Sequence, residues 1–234
     1  MTGIAHNLQH TRERIAAACA AAGRSTDGVT LLAVSKTFGA EAVREAHAAG
    51  QRAFGENYVQ EALDKIAALA DLRAGLEWHL IGPLQSNKTR VVAESFDWVH
   101  SVDRLKVAER LSAQRPENLP PLQVCLQVNV SAESSKSGVP PAEVAALAAQ
   151  VARLPRLRLR GLMSIPEPVA DFEAQRAPHR ALQALLQELR QQGLALDTLS
   201  MGMSADLEAA VAEGATIVRI GTAIFGGRTY PVRP

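Results

Sequence analysis

The chain is poor in several features that would place it quickly. Two cysteines, Cys19 and Cys125, stand far apart in 234 residues; they form neither a disulfide framework nor a cysteine-rich zinc site, and both are expected to be reduced and buried. Charge of one sign is lacking. The 25 Lys and Arg against 24 Asp and Glu leave a net charge of +1, no field that argues for nucleic acid, an anionic membrane or an acidic partner. Long apolar runs are lacking too: nowhere do about eighteen apolar residues stand together without a charge, and Met1 to Gln9 has no charged segment leading into an apolar one. No membrane span or leader is therefore expected, and the cytoplasm is the expected location. A Gly-x-Gly-x-x-Gly turn, a Walker-type loop and a His-Glu-x-x-His pair are all missing, so dinucleotides, nucleoside triphosphates and a metal centre lose their direct signals.

What is present belongs to an ordinary globular chain, 47% hydrophobic and 21% charged. At roughly 150 residues per domain the length predicts one large domain or two small ones. Residues 4 to 22 carry Ile4, Leu8, Thr11, Ile15 and Cys19 at helical intervals, an opening amphipathic helix. Then one grammar repeats. TLLAVSK precedes a helix from Ala40 to Ala49, RAFGEN one from Tyr58 to Ala70, LEWHLIG one from Asn87 to Ala93, and FDWVHS one from Arg104 to Gln114. LQVCLQVNV precedes Pro141 to Leu154, LRLRGLMSI precedes Phe172 to Gln192, TLSMGM precedes Ala205 to Ala212, and TIVRIG comes last. These eight strand-like runs start about 20 to 40 residues apart, too far for hairpins and suited to parallel crossovers. The α/β pattern predicts one (β/α)8 TIM barrel over residues 1–234 with an extra N-terminal helix; an open doubly wound sheet is the alternative.

Chemistry in a parallel barrel sits at the carboxyl ends of the strands. Along TLLAVSK a period of two puts Leu32, Val34 and Lys36 on one face, which aims the lysine at the barrel mouth if that face is interior. A lysine desolvated there is an amine nucleophile toward an aldehyde; alone, it reads equally as a solvated residue closing a strand. Ser200 to Ser204 and Gly221 to Gly226 follow the last two strands, where barrels offer backbone N–H groups to phosphate. Arg219 shares a face with Ile217 and Gly221, so its guanidinium sits inside the barrel, at a ligand or paired with a carboxylate such as Glu56. An amine, a phosphate cradle and an arginine for a ring nitrogen together complement pyridoxal 5'-phosphate. Guanidinium only donates, so the ring nitrogen must accept and stay unprotonated, a weak electron sink. His79 either lines the pocket or is hydrogen-bonded core, and Glu61, Asp64 and Lys65 read as a solvated helix face.

The stretches AVSKT, FGENYVQE, EWHLIGPLQSNK, SKSG, RGLMSIPEP and LSMGMSADLEAA with VRIGTAIFG resemble the pyridoxal phosphate homeostasis protein family nearly from end to end. The resemblance implies a fold type III barrel similar to the amino-terminal barrel of alanine racemase, with the cofactor held as a Schiff base on Lys36. It further implies Asn57 beside the ring, Ser200, Met201, Gly221 and Thr222 around the phosphate, and Arg219 at the ring nitrogen. Phe38-Gly39 departs from the expected basic residue followed by proline, so a second lysine close to Lys36 is missing. Lys136, in the SSKSG loop, reads as a solvated lysine or a transient amine acceptor, and Lys88 as a solvent-facing charge.

The function expected from this is binding without catalysis: buffering pyridoxal phosphate and delivering it to apo-enzymes that require it, by transient contact. A racemase needs acid/base groups on both faces of its substrate, and alanine racemases take one tyrosine from a further domain; here the chain runs out soon after the barrel would close. A monomer is expected for the same reason. The alternative is a racemase or lyase of narrow scope, and a third reading is a Schiff-base aldolase acting on a phosphosugar.

Overall fold

The computed structural model describes residues 3–131 and 137–227. The first helix, α1 (Gly3–Ala21), is followed by strictly alternating strands and helices: β1 (Thr30–Val34), α2 (Ala40–Ala48), β2 (Ala53–Glu56), α3 (Val59–Ala68), β3 (Glu77–Leu80), α4 (Thr89–Ser95), β4 (Trp98–Val102) and α5 (Leu105–Gln114). Then come β5 (Leu122–Gln127), α6 (Val144–Val151), β6 (Leu157–Met163), α7 (Phe172–Gln191), β7 (Thr198–Ser200), α8 (Leu207–Ala212), β8 (Ile217–Ile220) and the short α9 (Thr222–Phe225). The eight strands close in sequence order into a parallel barrel. β8 joins β1 with Leu32 opposite Arg219 and Ala33 opposite Ile220. The (β/α)8 reading therefore holds, and the open sheet does not.

Two apolar layers follow from the period of two along each strand. Leu32, Val34, Ala53, Ile81, Trp98, Cys125, Met163 and Ile217 pack with one another inside the barrel. Ala33, Phe54, Trp78, Leu80, Val99, Val124, Leu162 and Val218 face outward, into a larger core under the helices. Each fully buried Leu or Val contributes about 1.5–3 kcal/mol relative to leaving it in water. Both cysteines are free and buried. Among the described residues no helix is long and apolar enough to cross a membrane.

The opening helix buries Leu8, Thr11, Ile15, Ala18 and Cys19, the stripe its spacing predicts, and packs against α2, α8 and α9. It also ties down the end of the chain. Asn7 donates to the Ile224 carbonyl at 2.9 Å, Arg14 forks onto Glu208 at 2.6 Å through both nitrogens, and Arg24 donates to the carbonyls of Val211 and Ala215.

Several strands end earlier than their apolar runs. The strand in TLLAVSK ends at Val34, that in LQVCLQVNV at Gln127, that in LRLRGLMSI at Met163 and that in TLSMGM at Ser200, each with one further backbone hydrogen bond from the next residue. In each case the β-prone residues left over continue upward as the carboxyl-end loops, and it is these loops that carry the candidate residues.

Candidate functional site

Lys36 lies two residues beyond β1, in a turn and half-buried, not within the strand as its run suggested. Leu32 and Val34 do face the lumen, as the period of two predicted. The turn is held from both sides. Ser35 donates its N–H to the Gly55 carbonyl and its hydroxyl to Glu56 Oε1 at 2.6 Å. Lys65 Nζ donates to the Ser35 carbonyl at 2.7 Å, and the Thr37 N–H donates to Glu61 Oε1 at 2.6 Å. Thr37 itself has φ of +69°, a left-handed conformation that costs a β-branched residue on the order of 1–3 kcal/mol and persists only where its surroundings impose it.

Those surroundings are a buried ion cluster. Lys65 Nζ lies 2.7 Å from Glu56 Oε1 and 2.7 Å from Glu61 Oε1, and Lys65 is only 4% exposed. The expectation of a solvated α3 face thus fails at Lys65, which turns inward to neutralise Glu56. Burial pushes the Glu56 carboxyl up from its usual range, and the Lys65 charge and hydrogen bond act against that. Glu56 is accordingly not the partner of Arg219.

Arg219 is buried inside the barrel and donates from Nη1 to Ser200 Oγ at 2.9 Å and from Nη2 to the Ser164 carbonyl at 2.8 Å. Burial pushes its pKa down to about 10, so it stays a cation at neutral pH. Ser200 closes β7, and its hydroxyl is engaged by Arg219 and by His100 Nδ1 at 2.7 Å. Met201 follows, fully buried, with its N–H on the Ile217 carbonyl.

The chain then turns sharply at Gly202, whose φ is +93°; a Cβ there would stand 2.5 Å from that of Ala210. Asp206 fixes the turn, accepting from the Met203 N–H at 2.7 Å and meeting His179 Nε2 at 2.9 Å. Beside it Gly221 leaves β8, and its carbonyl takes the N–H groups of Ile224 and Phe225. The N–H groups of Gly202, Ser204, Gly221 and Thr222 have no backbone acceptor among the described residues. The Phe38 ring stacks on Phe225 with centroids 5.2 Å apart, joining the Lys36 turn to α9.

Across the mouth, Asn57 follows β2. Its Oδ1 is buried without a hydrogen-bond partner among the described residues, as is Ser164 Oγ beneath Arg219. Gly82 packs so closely that a Cβ there would fall 2.1 Å from the Asn57 carbonyl oxygen, so that position admits no side chain while Asn57 stays in place. A cavity of about 440 Å3 opens between Asn57, Ile81, Gly82, Gln127 and Met203. Lys36, Asn57, Ser200, Met201, Arg219, Gly221 and Thr222 are thus gathered at one end of the barrel, with Ser164, Gly82, Lys65 and Asp206 as supports that sequence reasoning missed. Lys136 lies outside the described residues.

Comparison with known proteins places the chain in a family. The profile of the alanine racemase N-terminal domain family matches residues 4–229. The pyridoxal phosphate homeostasis protein of Pseudomonas aeruginosa is 64% identical over 230 residues, 98% of each chain, and that of Escherichia coli K12 is 57% identical over 231 residues, 98% of this chain and 99% of the other. The structure of PipY from Synechococcus elongatus PCC7942 with pyridoxal phosphate bound superposes with a TM-score of 0.84 at 44% identity, covering 95% of this chain and all of that one. Alanine racemase from Corynebacterium glutamicum shares the fold alone, at 18% identity and a TM-score of 0.68. This chain belongs to the alanine racemase N-terminal domain family and, within it, to the pyridoxal phosphate homeostasis proteins.

Proposed function

We propose that this protein binds pyridoxal 5'-phosphate through Lys36 and serves its intracellular homeostasis, buffering the cofactor and delivering it without a reaction of its own. The observation that carries the reading is the convergence, at one barrel mouth, of an amine, a buried guanidinium and the partnerless oxygens of Asn57 and Ser164. That donor set fits the cofactor's aldehyde, ring and polar substituents. The bound cofactor supplies an aldehyde, which condenses with a primary amine and releases water.

In this reading Lys36 offers the amine, from a turn that Lys65 and Glu61 hold in place. Arg219 donates to the ring nitrogen and cannot protonate it, which suits storage better than carbanion chemistry. The freely directed N–H groups at Gly202, Gly221 and Thr222 receive the phosphate, with Ser200 and Met201 shaping the wall beneath, and Asn57 borders the ring. Catalysis on an amino acid would need acid/base groups on both faces, and the Tyr58 side chain points into solvent, 55% exposed. Tyr58, Ile165 and Val169, on loops of this same end, and Phe172, which opens α7, are exposed apolar residues, which supports handing the cofactor to apo-enzymes by transient contact. The reading places the protein in the cytoplasm, as a monomer.

The test is a visible absorption spectrum of wild type and Lys36→Ala, each loaded with pyridoxal phosphate, desalted and treated with borohydride. A reducible band in wild type alone is expected; equal bands, or none, overturn the site. Turnover of any single amino acid by the loaded protein would replace the carrier with an enzyme.

A further inference from the structure

Five polar side chains run in line through the barrel lumen. Glu77, which opens β3 at the amino end and has a half-exposed side chain, meets His79 Nε2 at 2.8 Å. His79 Nδ1 meets His100 Nε2 at 2.9 Å, His100 Nδ1 meets Ser200 Oγ at 2.7 Å, and Ser200 Oγ accepts from Arg219 Nη1 at 2.9 Å. Both histidines are buried. Trp98 lies nearly parallel to His79, 8° between planes and 5.3 Å between centroids. The line thus starts at the floor of the barrel and ends at the carboxyl-end site.

Its direction is set from the Glu77 end: an ionised carboxylate only accepts, and a neutral imidazole donates from one nitrogen and accepts at the other. Arg219 donates to the Ser200 oxygen, which leaves the hydroxyl hydrogen to go to His100 Nδ1. His100 then carries its proton on Nε2 and gives it to His79 Nδ1, and His79 donates from Nε2 to Glu77. Glu77 is held below the usual carboxylate range by the His79 hydrogen bond. Burial keeps His100 well below its ordinary pKa, hence neutral. The titratable and charged groups around the pair are Glu77 from β3, Cys125 from β5, Arg160 from β6 and Arg219 from β8. The Cys125 thiol, pushed up to about 12 by burial, carries no charge, and Arg160 is paired with Asp197 and lies over Trp98.

Resting on the reading that Arg219 meets the ring nitrogen, we propose that Glu77, His79, His100 and Ser200 are positioning residues, a one-way hydrogen-bond relay that fixes the donor geometry of Arg219 and transmits protonation of the barrel floor to the cofactor site. Were His79 to take up a second proton, the two middle links, His79 to His100 and His100 to Ser200, would reverse. His79 Nδ1 would donate to His100, His100 Nδ1 would donate to Ser200, and the Ser200 hydroxyl hydrogen would swing away toward the site while Arg219 still donates to its oxygen. One proton at the floor becomes one redirected hydroxyl at the mouth.

The experiment uses the full chain loaded with pyridoxal phosphate and labelled with 15N-histidine. Long-range 1H–15N spectra recorded as the pH is lowered from about 8 to about 6 are expected to show each neutral imidazole with its proton on Nε2, and the His100 proton on Nδ1 wherever His79 holds a second one; an Nδ1–H tautomer at either neutral ring, or a His100 that keeps its Nε2–H beside a doubly protonated His79, overturns the relay. His79→Phe, which keeps the stack on Trp98 and cuts the line two links short of Arg219, is expected to release the cofactor about tenfold faster with a shifted visible band. A folded His79→Phe with wild-type release and band overturns the proposal. If that variant does not fold, the wild-type tautomers decide alone. If wild type holds no cofactor, the cofactor reading fails, while the tautomer pattern still tests the relay.

Discussion

Lys65 reaches beneath the turn that carries Lys36: its ammonium binds the Ser35 carbonyl at 2.7 Å, and Glu61, 2.7 Å from the same ammonium, takes the N–H of Thr37. The residues immediately before and after Lys36 are thereby fastened to one buried charge cluster. An amine that must present itself repeatedly to an incoming aldehyde gains from this, because the ordering cost of its turn is met in the folding of α3 against β1 and β2 and not at the moment of binding.

Lys65→Met is expected to destabilise the protein by about 3–5 kcal/mol, since it leaves Glu56 buried without its counter-charge. Glu56→Gln in the same chain should restore part of that loss, because a neutral amide needs no counter-charge. Urea unfolding of the two single variants and the double variant measures both effects, and equal midpoints for Lys65→Met and wild type would show that the cluster carries no stability.

Phe38 stands where the family resemblance calls for a basic residue, and its ring lies on Phe225. This contact clasps the Lys36 turn to α9, whose first residue is Thr222. An aromatic pair contributes about 0.5–1.5 kcal/mol beyond its buried area, so Phe38→Ala is expected to speed cofactor release by about two- to tenfold. Trapping the released cofactor with an excess of an apo-enzyme gives the rate; an unchanged rate would mean that the clasp does not hold the bound state.

Asp206 governs the turn after β7, and its response to acid has a definite sign. Burial works against the ionised carboxylate, yet the His179 hydrogen bond and the Met203 N–H bring its pKa below the ordinary value. A carboxylate depressed in this way stabilises the fold above its unfolded pKa of about 3.9, and the contribution disappears as pH falls through the lower folded value. Cofactor retention in wild type is therefore expected to fall below about pH 4, whereas Asp206→Asn loses about 1–3 kcal/mol at neutral pH and shows a weaker acid dependence. Retention measured by gel filtration across this range separates the two, and identical acid profiles would remove Asp206 from the account.

The barrel was legible because its apolar residues alternate with period two in eight runs, and a parallel sheet buried on both faces needs that pattern. Arg219 was legible for a related reason: it shares parity with Ile217, which does face the lumen. Lys36 was legible as a residue at the carboxyl end of its run but not as one beyond the strand, since nothing in VSK marks where the strand stops. Lys65 was misread because a helix wheel records which residues share a face, not which long side chain turns back under a neighbouring loop. Ser200 could be placed near a phosphate loop, yet its commitment to Arg219 and His100 depends on side chains from three strands meeting in the lumen. Asn57 came only from family resemblance. Its oxygen, buried without a hydrogen-bond partner among the described residues, is a property of the folded mouth.

The register of β7 with β8 comes down to Ser200 opposite Ile217, while β8 meets β1 along four residues. The ring of strands is therefore thinnest at its last join, and both loops proposed to grip the phosphate spring from the two sides of that join. Arg219 crosses it, rooted in β8 and fastened to Ser200 on β7 and to Ser164 beyond β6. In the proposed reading a phosphate gripped from both sides adds a fastening to the Met201–Ile217 and Gly202–Arg219 backbone bonds that already cross this join, so the cargo is also a piece of the container.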